Sequence, residues 1–146
     1  MSTLFKSVLG AFVAVCATVS MFAANVAKIG DTEYATINEA LNAAEGKTVV
    51  LLDNVDIAGE LARAYSFTLD GNGHTIKCTK ANYNTSDLKK SNWKRFVNVN
   101  GGDTGCVQTF KNVTIDANGQ VPYAVQCIGV KSKLILENVT DRKSVV

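Results

Sequence analysis

An all-β solenoid of stacked coils, reached through one short helix, is the fold class that this 146-residue sequence predicts. Two observations carry the prediction. Short strand patterns of apolar, polar and apolar residues recur through the second half, each closing on Asp or Asn and often followed by Gly. Ahead of them stands one capped amphipathic helix. Thr68-Leu69-Asp70-Gly71-Asn72-Gly73 returns as Thr114-Ile115-Asp116-Ala117-Asn118-Gly119, an offset of 46 residues, and Asn112-Val113-Thr114 returns as Asn138-Val139-Thr140, an offset of 26. These offsets suit a coil of about 23 residues, with one coil skipped in the first case and insertions taking up the slack. No coil can bury its apolar side alone, so coils must stack.

The elements follow in order. Residues 26–34 alternate around Gly30-Asp31, the signature of a tight hairpin. Thr36-Ile37-Asn38-Glu39 is a capping box, and Ile37, Ala40, Leu41 and Ala44 then fall on one face of a helix of about three turns that Gly46 stops. Residues 48–52 form an apolar, β-branched run without alternation, the pattern of a strand buried on both faces. Every later element is expected to be a short strand. Alternation points Phe67, Leu69 and Ile76 inward, and Val113, Ile115, Leu134, Leu136 and Val139 the same way in later coils. Gly71, Gly73 and Gly119 permit the corners. Asn112 and Asn138 are expected to be stacked corner amides.

Composition excludes several classes. A hydrophobic fraction of 47% with a single proline argues against disorder and collagen. Outside the first 24 and last six residues the chain carries 12 basic and 12 acidic side chains, so bulk electrostatics give no reason for nucleic-acid binding. Lys6 followed by 21 uncharged residues reads as a secretory signal peptide over residues 1–24, with no membrane contact expected after cleavage.

The string Ala27-Lys28-Ile29-Gly30-Asp31-Thr32-Glu33-Tyr34-Ala35-Thr36, the capped helix with Glu39-Ala40-Leu41, and Thr48-Val49-Val50-Leu51-Leu52 resemble the beginning of bacterial secreted right-handed parallel β-helix proteins of the pectin-lyase-like superfamily. Leu69-Asp70-Gly71-Asn72-Gly73-His74-Thr75-Ile76 is similar to that family's first full coil. The resemblance covers roughly residues 26–140. It implies a right-handed parallel β-helix whose open end is plugged by the helix, and it specifies architecture rather than activity, because such solenoids carry lyases, hydrolases, adhesins and stalks alike. The repeat calls for an apolar residue after Thr140, where Asp141 stands. Residues 141–146 match the translation of a common sequencing adapter, so they are expected to be a non-native tail on a truncated reading frame.

Candidate chemistry is sparse. His74, the only histidine, could act as a general base, but no serine or cysteine motif accompanies it and its reading is structural. Asp70 and Asp116 occupy equivalent repeat positions and would lie on one side of the stack, about 10 Å apart, a separation suited to an inverting carboxylate pair. The stronger reading has each bonding its own turn backbone. No dense acidic spacing indicates calcium, and neither a metal nor a cofactor is expected. Cys78, Cys106 and Cys127, an odd number after signal removal, are expected mostly as buried thiols at strand ends.

Residues 77–95 hold Lys77, Lys80, Lys89, Lys90, Lys94 and Arg95 against one acid, Asp87, with Tyr83 and Trp93 between them. This reads as a loop inserted into the stack. Tyr83, Lys89, Lys90, Trp93, Lys94 and Arg95 are the candidate carbohydrate-binding residues: the cations would meet carboxylates or sulfates, and the aromatic rings would offer flat faces to sugars. The expected function is an extracellular or cell-surface scaffold for carbohydrate or surface adhesion, its partner an acidic polysaccharide or surface glycan. The alternative is the first part of a polysaccharide lyase or glycoside hydrolase acting on acidic polysaccharide.

Overall fold

The computed structural model describes residues 24–79, 95–119, 121 and 123–142; nearly all of the expected signal peptide and residues 143–146 of the expected tail lie outside the described residues. Within them the chain is mostly strand, with one short helix and predominantly parallel pairing. Strands β1 (Ala27–Ile29) and β2 (Thr32–Tyr34) form the expected hairpin, pairing Ala27 with Tyr34 and Ile29 with Thr32 around Gly30 at φ +57°. Strand β1 also runs antiparallel to β3 (Thr48–Leu51), so the hairpin edges a sheet that is otherwise parallel.

Helix α1 (Ile37–Asn42) carries the capping box: the Glu39 N–H donates to Thr36 Oγ1 at 3.2 Å and the Thr36 N–H to Glu39 Oε2 at 3.0 Å. It is six residues long, shorter than the three turns its sequence predicts. The N–H groups of Ala43 and Ala44 already reach back only three residues, to Ala40 O and Leu41 O, and the Gly46 N–H is drawn to Ser66 O at 2.8 Å. Sheet pairing therefore ends the helix before its periodicity runs out. Ile37, Ala40, Leu41 and Ala44 are all buried, and the Tyr65 hydroxyl donates to Leu41 O. Arg63 Nη2 donates to Asn42 Oδ1 at 3.0 Å.

From β3 on, strands that follow one another along the chain lie in different parallel columns. The first column holds β3, β6 (Phe67–Asp70) and the first halves of β9 (Val107–Asp116) and β11 (Lys133–Arg142), aligning Thr48, Thr68, Thr109 and Ile135. The second holds β4 (Val55–Ile57), β7 (Thr75–Cys78) and the second halves of β9 and β11, aligning Val55, Ile76, Ile115 and Asp141. In the third, β5 (Leu61–Arg63), β8 (Arg95–Val99) and β10 (Tyr123–Cys127) align Leu61, Val97 and Val125. Two strands are therefore not short: β9 and β11 each span two columns, bent at Asn112 and Asn138, whose φ values are +50° and +53°.

Register corrects two expectations. Val113 pairs with Val139, as the 26-residue repeat predicts. The 46-residue repeat, however, is not a register: Asp70 stands beside Lys111 in the first column and Asp116 beside Lys77 in the second. No coil is skipped, because Thr68 pairs directly with Thr109, 41 residues on, and the added length includes residues 80–94. The second correction concerns β3, which is not buried on both faces: Val49 and Leu51 are buried, Thr48 is exposed and Val50 half-buried, because the strand has core on one side only. At β11 the inward rows lose cover, and Leu136 is 50% exposed where its neighbour Phe110 is 0%. The strand continues through Asp141 and Arg142, with Asp141 in the row of Ile115.

Leu41, Leu51, Leu69, Ile76, Phe110 and Ile115 are completely buried, each worth about 1.5–3 kcal/mol of removal from water. Phe67 meets Phe110 edge-on with ring centroids 5.8 Å apart. A Cβ on Gly71 would come within 2.6 Å of Asn112 O and 2.7 Å of Val113 Cα, so this corner admits no side chain against the next layer.

The helix makes a direct test possible. Thr36→Ala should cost about 1 kcal/mol, one lost cap bond, whereas Leu41→Asp should cost several times more by setting a carboxylate against the core. Denaturant unfolding of the two variants measures both. Equal losses would show that the helix does not close over the core.

Candidate functional site

The corner between the first and second columns is the most organised polar feature among the described residues. Asn72, Asn112 and Asn138 all have left-handed backbones, at φ +50°, +50° and +53°, a conformation that asparagine tolerates better than other non-glycine residues. Asn138 Nδ2 donates to Asn112 Oδ1 at 3.0 Å, and Asn112 Nδ2 to Asp70 Oδ1 at 3.2 Å. Asp70 Oδ1 also accepts the Asn72 N–H at 3.0 Å, and Asp70 Oδ2 faces Lys111 Nζ at 3.2 Å. The expected stack of corner amides is present, with Asp70 at its foot. Gly73, Asn112, Thr114, Asn138 and Thr140 line a shallow groove beside it.

Asp70 is not one half of a carboxylate pair. Its oxygens are engaged by this corner, while Asp116 Oδ1 accepts the Asn118 N–H at 2.8 Å at a different corner, where Asn118 Nδ2 donates to Cys78 O at 3.1 Å. Each aspartate bonds its own turn, and the two lie in different columns. His74 is half-buried; its N–H donates to Gly71 O at 2.8 Å and its carbonyl accepts the Thr114 N–H at 3.1 Å. Both bonds are backbone ties. Among the described residues no group of three His, Cys, Asp or Glu side chains comes together to hold a metal ion.

Charged side chains on the outward surface alternate in sign from layer to layer. Asp70, Lys111 and Glu137 share one row; Asp56, Lys77, Asp116 and Arg142 share another. Adjacent layers in a parallel sheet lie about 4.8 Å apart, so like charges are not set side by side in these rows, and Asp70 with Lys111 is the ion pair formed in them among the described residues.

Of the candidate carbohydrate-binding residues, Tyr83, Lys89, Lys90, Trp93 and Lys94 lie outside the described residues. Arg95 is the first residue of β8, and Lys77 belongs to β7, so neither is part of a loop. The Arg95 guanidinium is half-buried, with Nε 3.0 Å from Glu60 Oε1 and Nη1 3.0 Å from Gln126 Oε1. It ties the third column together. A register of 36 residues between Leu61 and Val97 could not be read from composition, so the partnership with Glu60 was invisible in the sequence.

Gln108 is the polar residue that sequence reasoning missed. It is fully buried, and its Nε2 donates to Arg63 O at 2.7 Å and Tyr65 O at 3.2 Å, tying the link between β5 and β6 to the core. The available signal was its place two residues before Phe110 in the alternation, on the inward side, with Val107 and Thr109 facing outward. Cys78 and Cys106 are buried as expected, whereas Cys127 is exposed; Cys106 Sγ lies 3.8 Å from Ser132 Oγ.

Comparison with protein-family models, with curated proteins and with solved structures finds no match.

Two predictions arise from the corner. Asn112→Gly deletes the amide bonds but keeps the left-handed backbone free of strain, whereas Asn112→Ala loses both, so the alanine variant should be less stable by about 1 kcal/mol more. Chemical denaturation of the pair distinguishes backbone strain from amide stacking. The second concerns acid. Partial burial pushes the Asp70 carboxyl up, but hydrogen bonds from the Asn72 N–H, the Asn112 amide and Lys111, with the Lys111 charge, outweigh it and hold the group below its ordinary value. A lowered folded-state pKa contributes stability that is present above the unfolded value, about 3.9, and disappears as pH falls through the folded one. The stability gap between wild type and Asp70→Asn should therefore be widest near neutral pH and narrow as pH falls through and below the ordinary carboxylate range, as followed by urea melts across acid pH.

Proposed function

We propose that the chain forms the helix-capped end of a right-handed parallel β-helix of the pectin-lyase-like kind, exported from the cell, and acts as an extracellular or cell-surface scaffold that meets acidic polysaccharide or surface glycan. The observation that carries this reading is the distribution of consecutive strands among three parallel columns, with α1 packed where the first column begins. Such a pairing order is what a coil produces when each circuit lays one strand on each wall. The secretory pattern of residues 1–24 supports export.

A stacked scaffold presents long connections at its corners while the walls hold them apart. Residues 80–94 connect β7 to β8, between the second and third columns, and carry Lys80, Lys89, Lys90 and Lys94 with Tyr83 and Trp93. Cations interleaved with aromatic rings suit a sugar chain bearing carboxylate or sulfate: charge sets the attraction, and a ring face stacks on the pyranose. Arg95, bound to Glu60, anchors the end of this connection.

Glycan arrays and affinity electrophoresis test the reading. Acidic glycans should bind weakly at low salt and release as salt screens the charges. Trp93→Ala should weaken binding at fixed salt, and Lys89→Ala/Lys90→Ala should reduce the salt dependence itself. Indifference to Trp93 would leave a plain polyanion site, and no binding at low salt would remove the glycan reading altogether.

A further inference from the structure

The sequence holds three Asn-Gly pairs: Asn72-Gly73, Asn100-Gly101 and Asn118-Gly119. An asparagine before glycine is chemically vulnerable, because the glycine nitrogen carries no neighbouring side chain to block its approach to the amide carbon Cγ. Attack closes a five-membered ring, and it requires the two atoms to be brought within reach. The fold treats the three pairs differently.

Asn72 and Asn118 lie at corners and have left-handed backbones, at φ +50° and +49°. At the left-handed ψ of about +47° the next nitrogen lies across the Cα–C bond from Cβ, so the ring closes only if the corner turns over. Each pair is also held from outside. The Gly73 N–H donates to Asn112 O at 2.8 Å, a backbone atom of the next layer. Asn118 Nδ2, the group that would leave, donates to Cys78 O at 3.1 Å.

Asn100 is exposed and does not share the left-handed backbone. Its Oδ1 accepts the Gly102 N–H at 3.1 Å, a bond that curls the side chain over the Gly101 peptide and draws electron density from Cγ. The Gly101 N–H donates to Ser132 Oγ at 2.8 Å. That acceptor is a hydroxyl that rotates on its own side chain, unlike the carbonyl that holds Gly73.

We propose that Asn100 is the site at which water modifies the folded chain, converting it to aspartate and isoaspartate through a cyclic imide with Gly101. The Gly101 nitrogen bonds to Asn100 Cγ, the Cγ–Nδ2 bond breaks, and the Gly101 proton leaves with Nδ2 as ammonia. One water then opens the ring. Cleavage at Cγ yields aspartate, and cleavage at the main-chain carbonyl carbon yields isoaspartate. Nothing is oxidised or reduced: one amide and one water become one carboxyl group and one ammonia. Both products add a charge to the turn that holds Asp103. Isoaspartate also lengthens by a methylene the passage from β8 to β9, where a Cβ on Gly101 would already collide with Gly105.

The experiment ages the full chain in neutral buffer, once folded and once in concentrated urea. Peptide mapping by mass spectrometry follows the three sites, and an isoaspartate-specific methyltransferase supplies a second readout. In the folded chain Asn100 should convert about tenfold faster than Asn72 and Asn118. In urea, with the corners gone, the three rates should fall within about threefold of one another. Asn100→Gln, a change at an exposed position, should remove most of the folded-state isoaspartate. Equal folded-state rates, conversion led by Asn72 or Asn118, or a lead of Asn100 that persists unchanged in urea would each overturn the proposal.

Discussion

Asn112 has a left-handed backbone, gives its amide to Asp70 and receives that of Asn138. Because side chains in a strand alternate between faces, a slip of one residue in β9 or β11 would turn Phe110 and Val113 outward and Lys111 inward. In β9 and β11 the corner opposes that slip, since Asn112 and Asn138 each have the backbone to make the bend and an amide that meets its neighbour. In the second column the same alignment of layers sets Val55, Ile76 and Ile115 in one apolar row and Asp56, Lys77 and Asp116 in a row of alternating charge.

The interior also holds a buried amide: Gln108 is fully buried, and its Nε2 meets two carbonyls of the β5–β6 link while its Oε1 has no hydrogen-bond partner among the described residues. Those carbonyls belong to Arg63 and Tyr65, the residues whose side chains reach α1. Helix, link and second layer are thus joined by bonds from three neighbouring residues. The close approach at Gly71 has the same origin: the layers are near enough there that no side chain fits.

The walls and the edge differ in what they present. Outward rows carry threonine and charges of alternating sign, and among the described residues two ion pairs form, Asp70 with Lys111 and Arg95 with Glu60. At β11, the last described strand, Leu136 and Glu137 are exposed while Leu134 and Val139 are half-buried.

Devices whose partners lie within about four residues were legible in the sequence. The hairpin at Gly30, the Thr36 to Glu39 capping box and the Asx turns of Asp70 and Asp116 depend only on local backbone geometry and on side chains short enough to reach it, whereas the helix ends at Asn42, short of the stop expected at Gly46. The stacked amides of Asn112 and Asn138 were legible too, because their repeat coincides with a true register of 26 residues. Tertiary structure alone decided which strand lies beside which, and with that the separation of Asp70 from Asp116, the pairing of Arg95 with Glu60 and the burial of Gln108. Parallel partners here are 20 to 41 residues apart, and lengthening a connection costs only about 0.6 kcal/mol per doubling. A sequence period therefore cannot separate an insertion from a skipped coil, whereas backbone pairing does so at every residue.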